Sequence, residues 1–199
     1  MNTVLKNETL SNLVTSATST FTILKSSGIL EQVNGFALAL NATVNTPAAG
    51  ALVAVAATDV CTTAANDFTT GLKVQLTTTT TLPAGLSLAT DYFVIVIDAN
   101  TYKLATSYAN AIAGTAIDIT STGTGTHTIT PVAIAGATYK IQASTDTINW
   151  VDVAAATNIT ATAGILYEKL DPMYDSVRVT YTITAGRMSI QQNLSIKGV

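Results

Sequence analysis

Apolar and polar residues alternate with a period of two along much of the last third of the chain. Residues 177–183 carry valine, tyrosine and isoleucine at every second position, with arginine and threonine between them. Residues 139–144 repeat the pattern. Such alternation is typical of antiparallel strands with one face on a core and the other in solvent. It predicts two strands here and a final strand whose inner face holds Met188, Ile190, Leu194 and Ile196.

The first third of the chain predicts two further strands, at residues 21–24 and 35–44. The second of these places three apolar side chains on one face: Phe36, Leu38 and Leu40. Residues 1–20 are polar and rich in serine and threonine. We interpret residues 1–20 as an extended N-terminal arm or an edge segment.

The middle of the chain is rich in alanine and threonine and contains the most β-prone run. Residues 91–97 are apolar at both alternating sets of positions, which predicts a central strand buried on both faces. Residues 98–101 predict a tight turn. Residues 102–105 then return from it as the second strand of a hairpin.

Three more strands are expected in the middle of the chain, at 71–77, 116–120 and 127–130. Residues 107–113 predict a short helical turn, with Ser107 as its N-cap. Gly114 would end it. Strands with one wet face dominate the pattern, so the predicted fold is all-β, an antiparallel β-sandwich.

The charge of the chain is low. Only 11% of residues are charged, against about 25% in a typical domain. This favours either a β-protein with threonine at its outward positions or a protein packed against neighbours. The net charge is −3 and no run of lysine or arginine occurs, so we expect no nucleic-acid binding. We also expect neither a signal peptide nor a membrane helix.

The candidate catalytic residues are few. Cys61 is the only cysteine and His127 the only histidine, which excludes an internal disulfide and a multi-cysteine zinc site. His127 lies in a threonine-rich strand, and no Gly-x-Ser-x-Gly turn is present to position a nucleophile. We therefore predict no catalytic residue, no cofactor and no enzymatic activity.

The aspartates are scattered around predicted turns, where such side chains usually bond the local backbone. They include Asp91 and Asp98 in the middle of the chain and Asp146, Asp152, Asp171 and Asp175 near its end. No dense ladder of carboxylates is visible, so no metal ligand is assigned. A calcium ion in the loops 146–152 or 171–175 remains an alternative.

Four aromatic residues are candidates for a ligand or interface: Trp150, Tyr92, Tyr102 and Tyr108. The single tryptophan, Trp150, suits either stacking on a sugar ring or anchoring the edge or core of the sandwich. Most of the tyrosines are expected to be packing residues, with one exposed at an interface as the alternative.

Two parts of the chain resemble known families, the first being residues 143–153 together with 174–184. This part carries a Ser-x-Asp-x-x-Asn-Trp turn, a Tyr-x-x-Val-Arg-Val-x-Tyr-Thr strand and a closing Gly and Lys-Gly. The positions are Ser144, Asp146, Asn149, Trp150, Tyr174, Val177, Arg178, Val179, Tyr181, Thr182, Gly186, Lys197 and Gly198. It resembles a jelly-roll or discoidin-like β-sandwich and, more narrowly, the small β-sandwich proteins of tailed-bacteriophage virions.

The second part covers about 60 residues and is the more specific. Its motifs are Thr-Thr-Gly-Leu-Lys-Val-Gln-Leu from Thr69, Leu-Pro-Ala-Gly-Leu from Leu82, Asp-Tyr-Phe-Val-Ile-Val-Ile-Asp-Ala-Asn-Thr from Asp91 and Gly-Thr-Ala-Ile-Asp-Ile from Gly114. It is similar to a small β-module that recurs in phage structural and tail proteins.

The two resemblances together imply an insertion. The sandwich would comprise residues 1–48 and 133–199, and the small β-rich domain with its helical turn would comprise 49–132. They imply a non-enzymatic virion protein on the capsid surface, a decoration, cement or head-associated protein, with a tail location as the alternative. The implied partners are the major capsid protein or other virion subunits and further copies of the chain. The runner-up function is a carbohydrate-binding or adhesion module, acting on a host surface glycan.

Overall fold

The computed structural model describes residues 2–15, 17–22, 33–133, 137–153, 157–158, 165–170, 176–183 and 186–198. Within these residues the chain forms strands joined in antiparallel sheets and one short helix, so the fold is all-β as predicted. The chain divides into two compact units. The first comprises Met1–Asn45, Ala135–Thr184 and Met188–Val199, and the second comprises Thr46–Ile134 with Ala185–Arg187.

The first unit contains a four-stranded antiparallel sheet. Its strands, in spatial order, are β1 (Asn2–Leu13), β15 (Met188–Gly198), β3 (Val33–Val44) and β13 (Ile165–Leu170). The polar segment 1–20, expected as an arm or edge segment, therefore contributes the edge strand β1 and the first residues of β2 (Ala17–Thr22). Main-chain pairing with β15 satisfies the backbone groups on one side of β1 whatever its side chains are, so a polar composition does not prevent strand formation.

A second sheet in the same unit is built around β10 (Ala137–Ser144) and β14 (Ser176–Ile183). Flanking strands are β11 (Val151–Asp152) and β2 (Ala17–Thr22), and β12 (Thr157–Asn158) also pairs with β10. The predicted alternation is confirmed, since one set of side chains is buried: Tyr139, Ile141, Ala143, Val177, Val179, Tyr181 and Ile183. Ser144, expected in solvent, is also buried because its hydroxyl bonds the following turn.

A buried polar contact joins these two sheets. The hydroxyl of Tyr181 on β14 donates to Oε1 of Gln192 on β15 at 2.7 Å. Both side chains are buried, and a buried polar group without a partner would destabilise the fold. The two sheets of the first unit therefore share an interior that includes this hydrogen bond.

The second unit contains a closed six-stranded barrel. Its strands, in spatial order, are β4 (Gly50–Val55), β5 (Val60–Thr62), β8 (Thr101–Ala105), β7 (Tyr92–Val96), β6 (Lys73–Thr78) and β9 (His127–Pro131). Neighbouring strands are antiparallel, and pairing of β4 with β9 closes the ring. Closure removes the free edges of the sheet. The sequence analysis missed β4 and β5, because their small side chains do not form a strong strand signal.

The inner face of each barrel strand is buried. Its core contains Leu52, Ala54, Cys61, Val74, Leu76, Val94, Tyr102, Leu104 and Ile129. The prediction that β7 is buried on both faces is wrong. Tyr92 and Val94 are buried, but Phe93 and Ile95 are half-buried and Ile97 is exposed. In a barrel only one face of each strand points to the interior.

The predicted strand at 116–120 is also wrong, since these residues form an irregular segment. Ile119 is fully buried, and its N–H donates to the Asp59 carboxylate at 2.9 Å. The N–H of Ile117 donates to the carbonyl of Leu104 at 2.8 Å. The alternation here therefore reflects packing of a loop rather than pairing of a strand.

The local turn and cap predictions are confirmed. Helix α1 (Tyr108–Ala113) begins after Ser107, whose side chain accepts from the N–H of Asn110, and ends at Gly114 in the left-handed conformation. In the hairpin between β7 and β8, the Asp98 carboxylate accepts from the N–H groups of residues 100 and 101, both at 2.8 Å. Such side-chain bonds to the local backbone stabilise a tight turn.

Replacing Ile129 tests the assignment of the barrel core. Ile129→Ala leaves a cavity at a fully buried position, and we expect the free energy of unfolding of the barrel to fall by about 2–5 kcal/mol. Hydrogen exchange of barrel peptides at increasing denaturant, followed by mass spectrometry, measures this change. Thr130→Ala, at the exposed neighbouring position, should change the free energy by less than about 0.5 kcal/mol. Equal effects of the two substitutions would contradict the inner face assigned to β9.

Candidate functional site

Trp150 lies half-buried directly before β11 in the first unit. The guanidinium of Arg178, on β14, lies over its indole ring at 4.4 Å from the ring centroid. A cation at this distance is attracted by the ring's electron-rich face. The contact fixes one face of the only tryptophan against a strand of the sheet.

Polar side chains continue from this contact across the same sheet. Nε of Arg178 donates to Oε1 of Gln142 at 2.7 Å, and Nε2 of Gln142 donates to Oδ1 of Asp152 at 2.8 Å. Asp152 also pairs with Lys140, whose Nζ lies 2.6 Å from Oδ2. Gln142 is directly opposite both Arg178 and Asp152 in the sheet register, so their side chains share one face. We call Trp150, Arg178, Gln142, Asp152 and Lys140 the outer cluster.

Hydrogen bonds with Lys140 and Gln142 hold the pKa of the Asp152 carboxyl below its ordinary value. A carboxylate with two such donors is ionised at neutral pH. The outer cluster therefore presents an aromatic ring, a guanidinium, an amide, a carboxylate and an ammonium group. These groups can stack on an apolar ring face and bond hydroxyls, but the cluster contains no nucleophile paired with a base.

The turn before Trp150 is held by Asp146. Its carboxylate accepts from the N–H groups of Ile148 at 2.9 Å and Asn149 at 2.7 Å, and also from the Asn149 side-chain amide at 2.7 Å. The Ser144 hydroxyl donates to the same carboxylate at 2.9 Å. These bonds to the charged form lower the pKa of Asp146, the backbone bond from Asn149 being the largest cause.

The same turn exposes an apolar tip. Thr147 adopts a left-handed backbone with φ of 63°, which costs energy for a β-branched residue. The next side chain, Ile148, is 78% exposed, and Val151 beyond Trp150 is also exposed. The predicted turn at 146–149 is thus confirmed. The hydrogen bonds that Asp146 accepts offset the backbone strain at Thr147.

The described part of the chain holds no cluster of three or more histidine, cysteine, aspartate or glutamate side chains arranged for a metal ion. Asp146 already accepts from four donors of its own turn, which leaves its carboxylate poorly placed to serve as a calcium ligand. The other candidate loop, 171–175, lies outside the described residues.

The candidate tyrosines lie in the second unit, whereas Trp150 lies in the first. Tyr92 is buried and its hydroxyl accepts from the N–H of Ser87 at 2.7 Å. Tyr102 is fully buried, bonds the Thr63 hydroxyl at 2.8 Å, and has its pKa raised by burial. Tyr92 and Tyr102 are therefore packing residues, whereas Tyr108, at the start of α1, is half-buried.

The side chains of Cys61 and His127 are both buried in the barrel interior. Burial, with a smaller effect of Asp59, raises the pKa of the Cys61 thiol to about 12, so it is protonated at neutral pH. Nε2 of His127 lies 3.1 Å from the carbonyl of Thr122 and Nδ1 lies 2.9 Å from the Thr78 hydroxyl. Because a carbonyl only accepts, Nε2 carries the proton and Nδ1 accepts from Thr78. Neither residue is placed to act as a nucleophile or a base.

Arg187 is a buried charged residue that the sequence analysis did not identify as a candidate. It is buried in the second unit, where its guanidinium bonds the carbonyl and the carboxylate of Asp67 and the Thr69 hydroxyl. The residue directly follows Gly186 of the closing motif, and nothing in its neighbourhood along the chain indicates burial. Its partners are about 120 residues away in sequence, so only the folded chain identifies the pair.

Comparison with known proteins gives no match to this chain among either protein-family models or curated sequences. In the described part of the structure, no helix has the length and apolar character needed to cross a membrane.

The lowered pKa of Asp146 makes the acid stability of its turn testable. A carboxyl with a lowered pKa in the folded state stabilises the turn above its ordinary value of 3.8, and this stabilisation is lost as pH falls through the folded-state pKa. We therefore expect the amide resonances of Ile148 and Asn149 to stay constant as the pH falls to about 4 and to change only below it. Two-dimensional NMR of the labelled chain measures this, with Asp146→Asn as the matched variant that lacks the titration. A midpoint at or above 3.8 would contradict the hydrogen bonding described for this turn.

Proposed function

We propose that this protein is a non-enzymatic structural subunit of a tailed-phage particle, bound to the head as a decoration or cement protein. The observation that carries the proposal is the pairing pattern of the four-stranded sheet. Among the described residues, β1 pairs on one side alone with β15, and β13 pairs on one side alone with β3. Because successive residues of an antiparallel strand direct their main-chain groups to opposite sides, about half of the twelve residues of β1 offer donors and acceptors to a neighbouring chain.

The surface chemistry supports the same proposal. Free monomers normally carry more charge for solubility, and charged residues make up only 11% of this chain. Such a weakly charged polar surface suits permanent contact with neighbouring subunits. The sequence resemblance to phage virion proteins favours a phage virion as the particle. The buried state of Cys61 and His127 supports a role without catalysis.

We also propose the finer architecture that the resemblance implies. The two sheets of the first unit form a β-sandwich of the jelly-roll or discoidin-like type, and the barrel is an insertion in one of its loops. The first unit supplies the contact with capsid subunits through its open edge. The barrel, which has no free edge, makes contacts through its outer face instead.

The test is quantitative peptide mass spectrometry of purified phage particles that encode this chain. We expect a copy number comparable with that of the major capsid subunit. A copy number far lower would place the protein at the tail or a vertex, and its absence from the particles would overturn the virion role. The same measurement on particles carrying Thr9→Lys should show reduced occupancy, because a lysine on an edge strand opposes further strand pairing.

The matched control for the edge variant is Thr43→Lys. Both threonines are exposed, and the register through Gln191 and Ser189 of β15 places them on the same face of the sheet. Thr43 lies on the inner strand β3 and has no open edge. Occupancy should therefore fall for Thr9→Lys and persist for Thr43→Lys. A loss for both variants would show that the sheet face, rather than its edge, makes the contact.

A second candidate function is favoured by the outer cluster. A half-exposed tryptophan beside planar amide, carboxylate and guanidinium groups is suited to bind a saccharide, since the ring stacks on sugar C–H groups while the others bond hydroxyls. In this alternative the protein is a tail or fibre accessory that binds a host surface glycan.

The alternative predicts that Trp150→Ala weakens binding to polysaccharide isolated from the host cell surface by at least about tenfold, or about 1.4 kcal/mol. Surface plasmon resonance with immobilised polysaccharide measures the affinity. Tyr108→Ala, which removes a half-buried aromatic ring far from the outer cluster in sequence, is the control and should bind normally. Failure of the unaltered chain to bind the polysaccharide would remove this alternative and leave the head proposal intact.

A further inference from the structure

The outer surface of the barrel is divided into a polar and an apolar half. The outward positions of β6 and β9 hold Lys73, Gln75, Thr77, Thr128 and Thr130. The corresponding positions on β4, β5 and β7, together with the residue after β7, hold Val53, Val55, Val60, Ile95 and Ile97. We call this second set the aliphatic face.

The sheet register arranges the aliphatic face in two neighbouring rows, in which Thr62, Thr101 and Lys103 lie between the valines and the isoleucines. Val53 is opposite Thr62, which is opposite Thr101, and the carbonyl of Thr101 accepts from the N–H of Ile97 at 3.0 Å. Directly opposed residues in antiparallel strands point to the same side, so these four form one row across β4, β5, β8 and β7.

A second row runs beside the first. Val55 is opposite Val60, and Lys103 is opposite Ile95. Because Cys61 is opposite Tyr102, Val60 and Lys103 are neighbours across β5 and β8. The aliphatic side chains of both rows reach the surface: Val53 is 62% exposed, Ile97 53% and Val55 44%.

The charges on this face are balanced. Lys103 stands in the second row, and its Nζ lies 3.9 Å from Oδ2 of Asp59, which precedes β5. Both side chains are partly exposed. A face that carries one cation and one anion among aliphatic residues is complementary to its own copy when a twofold axis passes close to that pair, because each charge then lies opposite its counterpart in the other copy. The face has no net charge that would attract a strongly charged partner.

The size of the face indicates a weak contact. Four strands spaced by about 4.8 Å give it a width of about 15 Å. Its two rows lie about 7 Å apart, so the face is small compared with the roughly 800 Å² that each partner of a stable complex buries. Its occupant is therefore held reversibly.

We propose that the aliphatic face is the contact between two copies of this chain, related by a twofold axis. Val53, Val55 and Ile97 of one barrel pack against the same residues of the other, as in stacked β-sheets about 10 Å apart. The inference rests on the barrel alone and stands independently of the virion role.

Sedimentation velocity of the full chain over a concentration series tests the proposal. We expect a reversible monomer–dimer equilibrium, and Val53→Glu should weaken it at least about tenfold, because the twofold brings two buried carboxylates into one interface. Thr130→Glu, which adds the same charge to the polar half of the barrel, is the matched control and should dimerise normally. A chain that stays monomeric at every concentration overturns the proposal, as does equal dimerisation of the two variants.

Two further variants separate this contact from edge pairing and from misfolding. Val53→Thr keeps the branched shape at an exposed strand position, so it should fold and show an intermediate loss of affinity. Thr9→Lys alters the edge of β1 and should leave dimerisation unchanged. If Thr9→Lys abolishes the dimer while Val53→Glu and Val53→Thr retain it, the copies meet at β1 and the aliphatic face is not the contact.

Discussion

Main-chain hydrogen bonding is the constraint on which both units of this protein depend. Every strand has donors and acceptors on two sides, and burying them without partners destabilises a fold. The barrel meets the constraint internally, because β9 pairs with both β4 and β6 and closes the ring. The four-stranded sheet of the first unit does not, since β1 and β13 each pair on one side within the described residues. The two units therefore present different surfaces to a partner: an open edge in one and a side-chain face in the other.

The few polar groups inside the protein serve its packing. Tyr181 and Gln192 bond one another between the sheets, Tyr102 bonds Thr63 inside the barrel, and both nitrogens of His127 have partners. Arg187 is the largest such group: its guanidinium is buried, and the side chain of its ionic partner Asp67 is 81% exposed. Pairing of this kind offsets the cost of removing each buried group from water. Cys61 and His127 are thus buried in the barrel, whereas side chains of the outer cluster reach the surface.

The sequence-based prediction was most accurate where a local pattern and its physical cause coincide. The alternation at 139–143 and 177–183, the Asp98 and Asp146 turns and the caps of α1 are all observed, because each depends on residues close in the chain. It failed for β4 and β5, whose small residues give a weak signal, and for 116–120, where alternating burial occurs without pairing. Of the candidate site, Trp150 was identified by composition alone, whereas its contact with Arg178, and that of Arg178 with Gln142, needed the register of β10 and β14.

The sequence by itself determined the all-β class, the low charge and the inward-facing side of β10 and β14, since period-two burial is a property of any extended chain against a core. Only the tertiary structure decided that the middle of the chain closes into a barrel, which depends on pairing between β4 and β9, more than 70 residues apart. It also decided that β7 has one dry face, that Tyr92 and Tyr102 are internal, and that Val53 and Ile97 share one surface. These features arise from contacts between distant segments, and a local pattern carries no information about which distant strand will be its neighbour.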